Sequence, residues 1–161
     1  MSDNFTLRSI GCTGDDKMNI TNASAVIRGN ADAPRLRGRI TFRKRRNGVL
    51  VTADISGLPS GNKTDFFALH IHEGESCGGR GFSNAGRHFD MTRSPHPEHS
   101  GDLPPLLSCR GRAYLSVLTD RFDIEDVIGR TVVIHMEPDD FHTQPAGDSG
   151  SRIGCGVIKR N

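Results

Sequence analysis

Apolar residues in this chain come in short runs separated by turn-forming residues, and no stretch repeats them with the period of a long helix. The runs are rich in β-branched side chains, which predicts strands over residues 25–28, 38–43, 49–55, 66–71, 113–118 and 131–136. Asn47-Gly48, set between Ile40-Thr41-Phe42 and Val49-Leu50-Val51, is a two-residue hairpin signal, so the first half reads as an antiparallel meander. Residues 72–106 lose the pattern and become rich in Gly, Ser, Pro, His and Asp, and residues 138–154 form a second irregular segment. Loops of that length in a compact domain are commonly functional. Residues 123–127 fit one short helical turn. Nineteen glycines, eight prolines and no tryptophan agree with an all-β chain.

Composition adds limits rather than a function. At 161 residues the chain is long enough for one domain with its own core. No window approaches the roughly 20 apolar residues of a membrane span, so a soluble protein with no membrane partner is expected. Residues 1–22 carry no apolar segment behind a basic start; either the chain is cytoplasmic or a secretory signal has been removed. A formal charge of +2 is too balanced to point to nucleic acid, so the chemistry is expected from a local site. The basic run Arg43-Lys44-Arg45-Arg46 reads as a solvated hairpin end rather than a polyanion site. Four cysteines permit three complete pairings, and none has the Cys-x-x-Cys spacing.

The histidines change the picture. His70 and His72 lie two apart on a predicted strand and therefore share one face. His88, His96 and His99 fall in the first long loop, and His135 ends the run Thr131-Val132-Val133-Ile134. Each of these taken alone reads as a satisfied core or solvated residue; six in one pattern suit copper or zinc rather than magnesium or calcium. Asp102, three residues after His99, can complete a tetrahedral set of three nitrogens and one oxygen. Six histidines and one aspartate make seven ligands, whereas two four-coordinate ions need eight positions. Either one imidazole is shared, with His88 the natural bridge, or one metal keeps an open position. His142 lies outside the pattern.

Several motifs then occur in one order: Leu69-His70-Ile71-His72-Glu73, Asn84-Ala85-Gly86-Arg87-His88-Phe89, His99-Ser100-Gly101-Asp102-Leu103, Ile128-Gly129-Arg130 leading to His135, and Gly150-Ser151-Arg152-Ile153-Gly154-Cys155-Gly156. Together they closely resemble the copper/zinc superoxide dismutase family, in a bacterial-type form, from about residue 23 to residue 158. The resemblance implies an eight-stranded Greek-key β-sandwich or barrel with two long functional loops, occupying residues 23–161 behind an N-terminal extension of 1–22. It implies an oxidoreductase with superoxide as substrate, one copper and one zinc ion per chain, and a possible homodimer. Copper would be held by His70, His72, His88 and His135, and zinc by His88, His96, His99 and Asp102. Superoxide would be disproportionated by Cu(II)/Cu(I) cycling, with His88 bridging to zinc and passing a proton.

By the same resemblance Asp139 would link a copper histidine to a zinc histidine, although the adjacent Asp140 competes for that role. Cys77 and Cys155 would form the family's disulfide, and Arg152 would border the copper channel and attract the anion; Cys12 and Cys109 have no counterpart in the family's pattern and read as free thiols, with a second bridge as the lesser alternative. Two departures stand out. Only Pro97 and Glu98 separate His96 from His99, a shortened zinc loop, and Pro145-Ala146 occupies the place where animal members have a lysine and a threonine. Anion steering is therefore expected to lean on Arg152. The rival functions are a non-catalytic copper-binding or copper-delivery module of the same fold, and a cupin-type dioxygenase, which would leave His96, His99 and Asp102 without a task.

Overall fold

The computed structural model describes residues 22–60 and 64–161. The chain forms β1 (Asn22–Gly29), β2 (Arg37–Arg45), β3 (Gly48–Ser56), β4 (Phe66–His72), β5 (Asp102–Leu107), β6 (Arg112–Thr119), α1 (Ile124–Val127), β7 (Thr131–His135) and β8 (Arg152–Arg160), with a short 3₁₀ segment at Arg80–Ala85. The strands pair antiparallel in the order β5-β4-β7-β8-β1-β2-β3-β6. The end strands β5 and β6 lie against each other, so the sheet curls into a nearly closed barrel. The expected all-β Greek-key architecture is the one observed.

Period-two alternation builds the core. Ala23, Ala25 and Ile27 of β1, Ile40 and Phe42 of β2, Val49, Val51, Ala53 and Ile55 of β3, and Phe67, Leu69 and Ile71 of β4 all join one buried cluster. Burying a Val, Leu, Ile or Phe side chain stabilises by about 1.5–3 kcal/mol, which is why the inward face tolerates almost nothing polar. On β4 the alternate positions Ala68, His70 and His72 face the other way. They are nevertheless buried, because the two long loops cover that face. A small second cluster of Ala85, Val133 and Cys155, with Cys77 and Phe82 against it, fills the space beneath one of those loops.

β5 lies where a loop was expected, and β8 runs from the end of the second irregular segment into residues to which the pattern assigned no element. β5 begins at Asp102, inside the segment read as irregular, and contains Pro104 and Pro105. Proline removes a ladder donor and is tolerated here because β5 is an end strand. β8 was hidden by Gly154 and Gly156, residues that depress strand propensity. The hairpin also shifts by one residue. Arg45 faces Gly48, so the two-residue loop is Arg46-Asn47. Gly48 has φ +130°, and a side chain there would place its Cβ 2.3 Å from the Thr119 carbonyl of β6. That glycine serves close strand approach rather than the turn's centre. The hairpin end is otherwise exposed, with Lys44 paired to Asp123. The expected extension and Cys12 lie outside the described residues, and Asn22 already belongs to β1.

Candidate metal centre

β4 is the foundation of the site. Its Ile71 N–H donates to Gly101 O at 2.9 Å and its carbonyl accepts from Phe89 N–H at 2.8 Å, while Gly101 N–H donates to Phe89 O at 2.7 Å. These three bonds tie both ends of the first loop to one residue of β4. His88 is thereby bridged to His72, and Asp102 stands opposite His70 in the β4–β5 register. β7, the other neighbour of β4, carries His135 at its end.

The result is two groups of donors that share one member. His70, His72, His88 and His135 have ligand atoms within 4.8 Å of one another, and so do His88, His96, His99 and Asp102. All seven residues are buried except His99, whose side chain is 13% exposed. The nitrogens that His70, His72, His96 and His135 turn away from the groups are anchored. Asp139 accepts from His70 Nε2 at 2.8 Å and from His96 Nε2 at 2.7 Å. His72 Nδ1 donates to Gly86 O at 3.0 Å, and His135 Nδ1 lies 3.1 Å from Ser149 Oγ. A carbonyl can only accept, so the His72 proton sits on Nδ1 and its Nε2 keeps a lone pair. That Nε2 lies 3.2 Å from His135 Nε2.

The inward atoms lack partners of their own. His70 Nδ1, His88 Nε2, His96 Nδ1 and His99 Nδ1 are buried and make no hydrogen bond, although Asp102 Oδ2 lies 3.0 Å from His96 Nδ1 and 3.1 Å from His99 Nδ1. Short separations without hydrogen-bond geometry mean that these lone pairs converge on common points. Unsatisfied buried polar atoms are costly, and a shared cation relieves them. His88 contributes at both ends, with Nδ1 2.8 Å from Asp102 Oδ1 and Nε2 unpartnered. The donor chemistry fits a nitrogen-only site for copper beside an N₃O site for zinc.

Electrostatics keep these groups in their ligating forms. Burial, followed by the neighbouring His135 and His88, lowers His72 from 6.5 to about 2. Burial likewise holds His135 well below that value, with His70 and His88 adding to it. Burial lowers His88, against the opposing hydrogen bond to Asp102. For Asp139 burial alone would raise the carboxyl, but the bonds from His70, the Phe141 N–H and His96 outweigh it and bring it to about 2. Asp102 is lowered by the same balance, with His88 as its main partner against burial. Neutral imidazoles and ionised carboxylates are the states that bind metal.

The first group opens into a cleft of about 640 Å³ whose wall includes His72, His88, His135, Arg152, Pro145 and Ala146. Arg152 donates from Nη1 to Phe82 O at 2.9 Å and from Nη2 to Gly86 O at 2.6 Å, which pins a guanidinium beside the donor group. Burial lowers its pKa, yet the group stays cationic at neutral pH. Gly86 O thus serves both His72 and Arg152. Cys77 and Cys155 form a disulfide with Cα atoms 5.8 Å apart, fastening the loop that carries Gly86 to β8. Asp140, the competitor of Asp139, instead accepts from the His142 and Thr143 N–H groups of its own turn. His142 is exposed and joins neither group, and Cys109 is an exposed free thiol.

A family model described as copper/zinc superoxide dismutase matches residues 36–158. The chain belongs to the copper/zinc superoxide dismutase family. A Cu-Zn superoxide dismutase of Deinococcus radiodurans is 36% identical over 143 residues, covering 76% of each chain. One of Legionella pneumophila is 33% identical over 129 residues, covering 76% of this chain and 77% of its own. Superoxide dismutase [Cu-Zn] 5 of Dictyostelium discoideum is 32% identical over 154 residues, covering 85% of this chain and 96% of its own. Membership sets aside the cupin-type alternative.

Sequence reasoning missed several residues around this superoxide dismutase-type centre. Gln144 takes hold of His96 on both sides, accepting from its N–H at 3.0 Å and donating to its carbonyl at 2.7 Å. Ser149 supports His135, and Arg121 reaches three carbonyls of the first loop. Gly147 is required because a Cβ there would lie 2.1 Å from Asp139 Oδ1. None of these carries a motif: a lone Gln, Ser or Arg in a polar loop has no spacing that marks it, and only the fold brings it to its partner.

Proposed function

We propose that this chain disproportionates superoxide, turning two superoxide anions and two protons into dioxygen and hydrogen peroxide. The observation that carries the reading is the sharing of His88 between two buried donor groups, one of which opens to a cleft walled by Arg152. A copper ion held by His70, His72, His88 and His135 would supply the one-electron chemistry, and a zinc ion held by His88, His96, His99 and Asp102 would supply fixed positive charge without redox change. Arg152 draws the anion into the cleft and orients it, and its two carbonyl partners keep the guanidinium from collapsing onto an acid. His88 would hold and deliver a proton at Nε2, while its Nδ1, beside Asp102 Oδ1, is the end directed to the zinc group. Asp139 keeps His70 and His96 aimed together. A homodimer belongs to the same proposal. Phe66 and Leu107, exposed and opposite each other at the β4–β5 edge, support it as an apolar contact, and sedimentation at the mass of one chain would overturn it.

The test is metal quantitation and a superoxide assay on one sample, with His135→Ala and Arg152→Glu beside the parent. One copper and one zinc per chain are expected, with activity lost in the first variant. In the second, the rate should fall about tenfold or more and its decline with ionic strength should flatten or reverse. Full copper loading without turnover would overturn the enzymatic reading in favour of a copper-binding module. An unchanged rate and salt slope in Arg152→Glu would remove that residue from the mechanism.

A further inference from the structure

We infer that Arg121 is a positioning residue for the zinc group, holding the backbone turn on which His99 and Asp102 stand. The inference rests on assigning His88, His96, His99 and Asp102 to one zinc-binding set. Arg121 follows β6, far from this turn in sequence, and its Nη1 lies 3.0 Å from Pro97 O, 3.2 Å from His99 O and 3.3 Å from Asp102 O. Two N–H bonds on one nitrogen are therefore shared among three carbonyls of a single short turn.

Within the turn, the Asp102 N–H donates to His99 O at 3.1 Å and the His99 N–H donates to Asp102 Oδ2, also at 3.1 Å. Carbonyls gathered on one side repel each other, and a cation placed among them relieves that repulsion. With the carbonyls held on the Arg121 side, the side chains of His99 and Asp102 are directed to the other.

His99 needs this help more than its fellow donors do. His70 and His96 are anchored through Asp139, His72 through Gly86 O and His135 through Ser149, while the His88 backbone is bridged to His72 of β4. Among the described residues no hydrogen bond is made by the far nitrogen of His99, so its aim depends on its backbone. Arg121 also lines the groove between the β5 and β6 edges together with Pro97, Leu103, Val117, Leu118 and Phe141. The clamp therefore fastens the loop to the opposite edge of the barrel, bridging β5 and β6, neighbouring strands that no ladder joins among the described residues. The long-range guanidinium thus adds to the hydrogen bonds that the turn makes within itself.

The experiment compares Arg121→Gln and Arg121→Lys with the parent, all loaded with copper and zinc. It measures zinc release to a colorimetric chelator, copper retention, the visible spectrum after cobalt is substituted for zinc, and the melting temperature of the metal-free protein. Arg121→Gln should release zinc about tenfold faster, the change that loss of one charge-assisted hydrogen bond converts to. It should alter the cobalt band, leave copper in place and leave the metal-free melting temperature nearly unchanged. Arg121→Lys should recover part of the zinc retention, because an ammonium can reach some of the same carbonyls without the planar fork. Equal zinc release from parent and Arg121→Gln would overturn the inference. So would a fall in metal-free stability with copper and zinc released faster to the same degree, which marks a purely structural arginine. If the parent itself fails to bind zinc, the ligand assignment falls rather than the role of Arg121.

Discussion

The two donor groups share an imidazole but are built on different foundations. Three donors of the first group, His70, His72 and His135, stand on β4 and β7, adjacent strands joined by a continuous ladder. Two donors of the second, His96 and His99, hang on a loop whose backbone is held by the side chains of Gln144 and Arg121. Strand-borne donors inherit their geometry from a backbone that the barrel core already orders. Loop-borne donors require separate contacts, each of which can be removed without unfolding the barrel. The strand side should therefore fail only with the fold, and the loop side should fail piecemeal.

The disulfide gives the largest expected effect, because it is where the strand side borrows from a loop. Replacing Cys77 and Cys155 by serine should cost about 4 kcal/mol of global stability in the chain-entropy model, read from denaturant midpoints. It should also loosen Gly86 from His72 and Arg152 while leaving zinc release unchanged. Faster loss of zinc than of copper in that variant would break the distinction.

Asp139→Asn comes next. One carboxylate serves both groups, and losing an outer partner of this kind typically costs about 10–100-fold in metal affinity. Competition titrations should show the larger loss on the zinc side, where the loop has no ladder to fall back on.

Protons separate the two regions by pH. His72 and His135 are depressed from 6.5, His72 to about 2, so the unfolded chain binds more protons than the native one between those values. Their contribution to the stability of the metal-free protein is fully present above 6.5 and is lost as pH falls below it. Asp139, depressed from 3.8 to about 2, contributes stability that is present above 3.8 and lost only as pH falls toward 2. Urea midpoints of the metal-free protein should therefore already decline between pH 7 and pH 5, and a flat profile over that interval would contradict the assignment. The smallest effect is expected from Gln144→Leu: a few-fold faster zinc release with copper content and melting temperature unchanged, from loss of two partly buried hydrogen bonds.

How far this could be read in advance follows the same division. The alternation of β1 to β4 and the spacing of His70 and His72 are local properties of the chain, and both were legible with nearly correct bounds. β5 and β8 were not, because prolines and glycines mask a strand whose acceptability depends on being at an edge or closely packed. The two donor groups were legible as residue types in order, since metal chemistry restricts which side chains can serve. Which of Asp139 and Asp140 joins the histidines was not, as adjacent acids look alike until one is buried.

Residue chemistry and periodicity thus decided the class of fold and the kind of ion, because they depend on neighbours within a few positions. Tertiary structure alone decided which nitrogen of each histidine is left free, which carbonyls hold Arg152, and that Arg121 and Gln144 support the loop. Those are meetings of groups separated by 14 to 70 residues, and only the closed barrel brings them within hydrogen-bond reach.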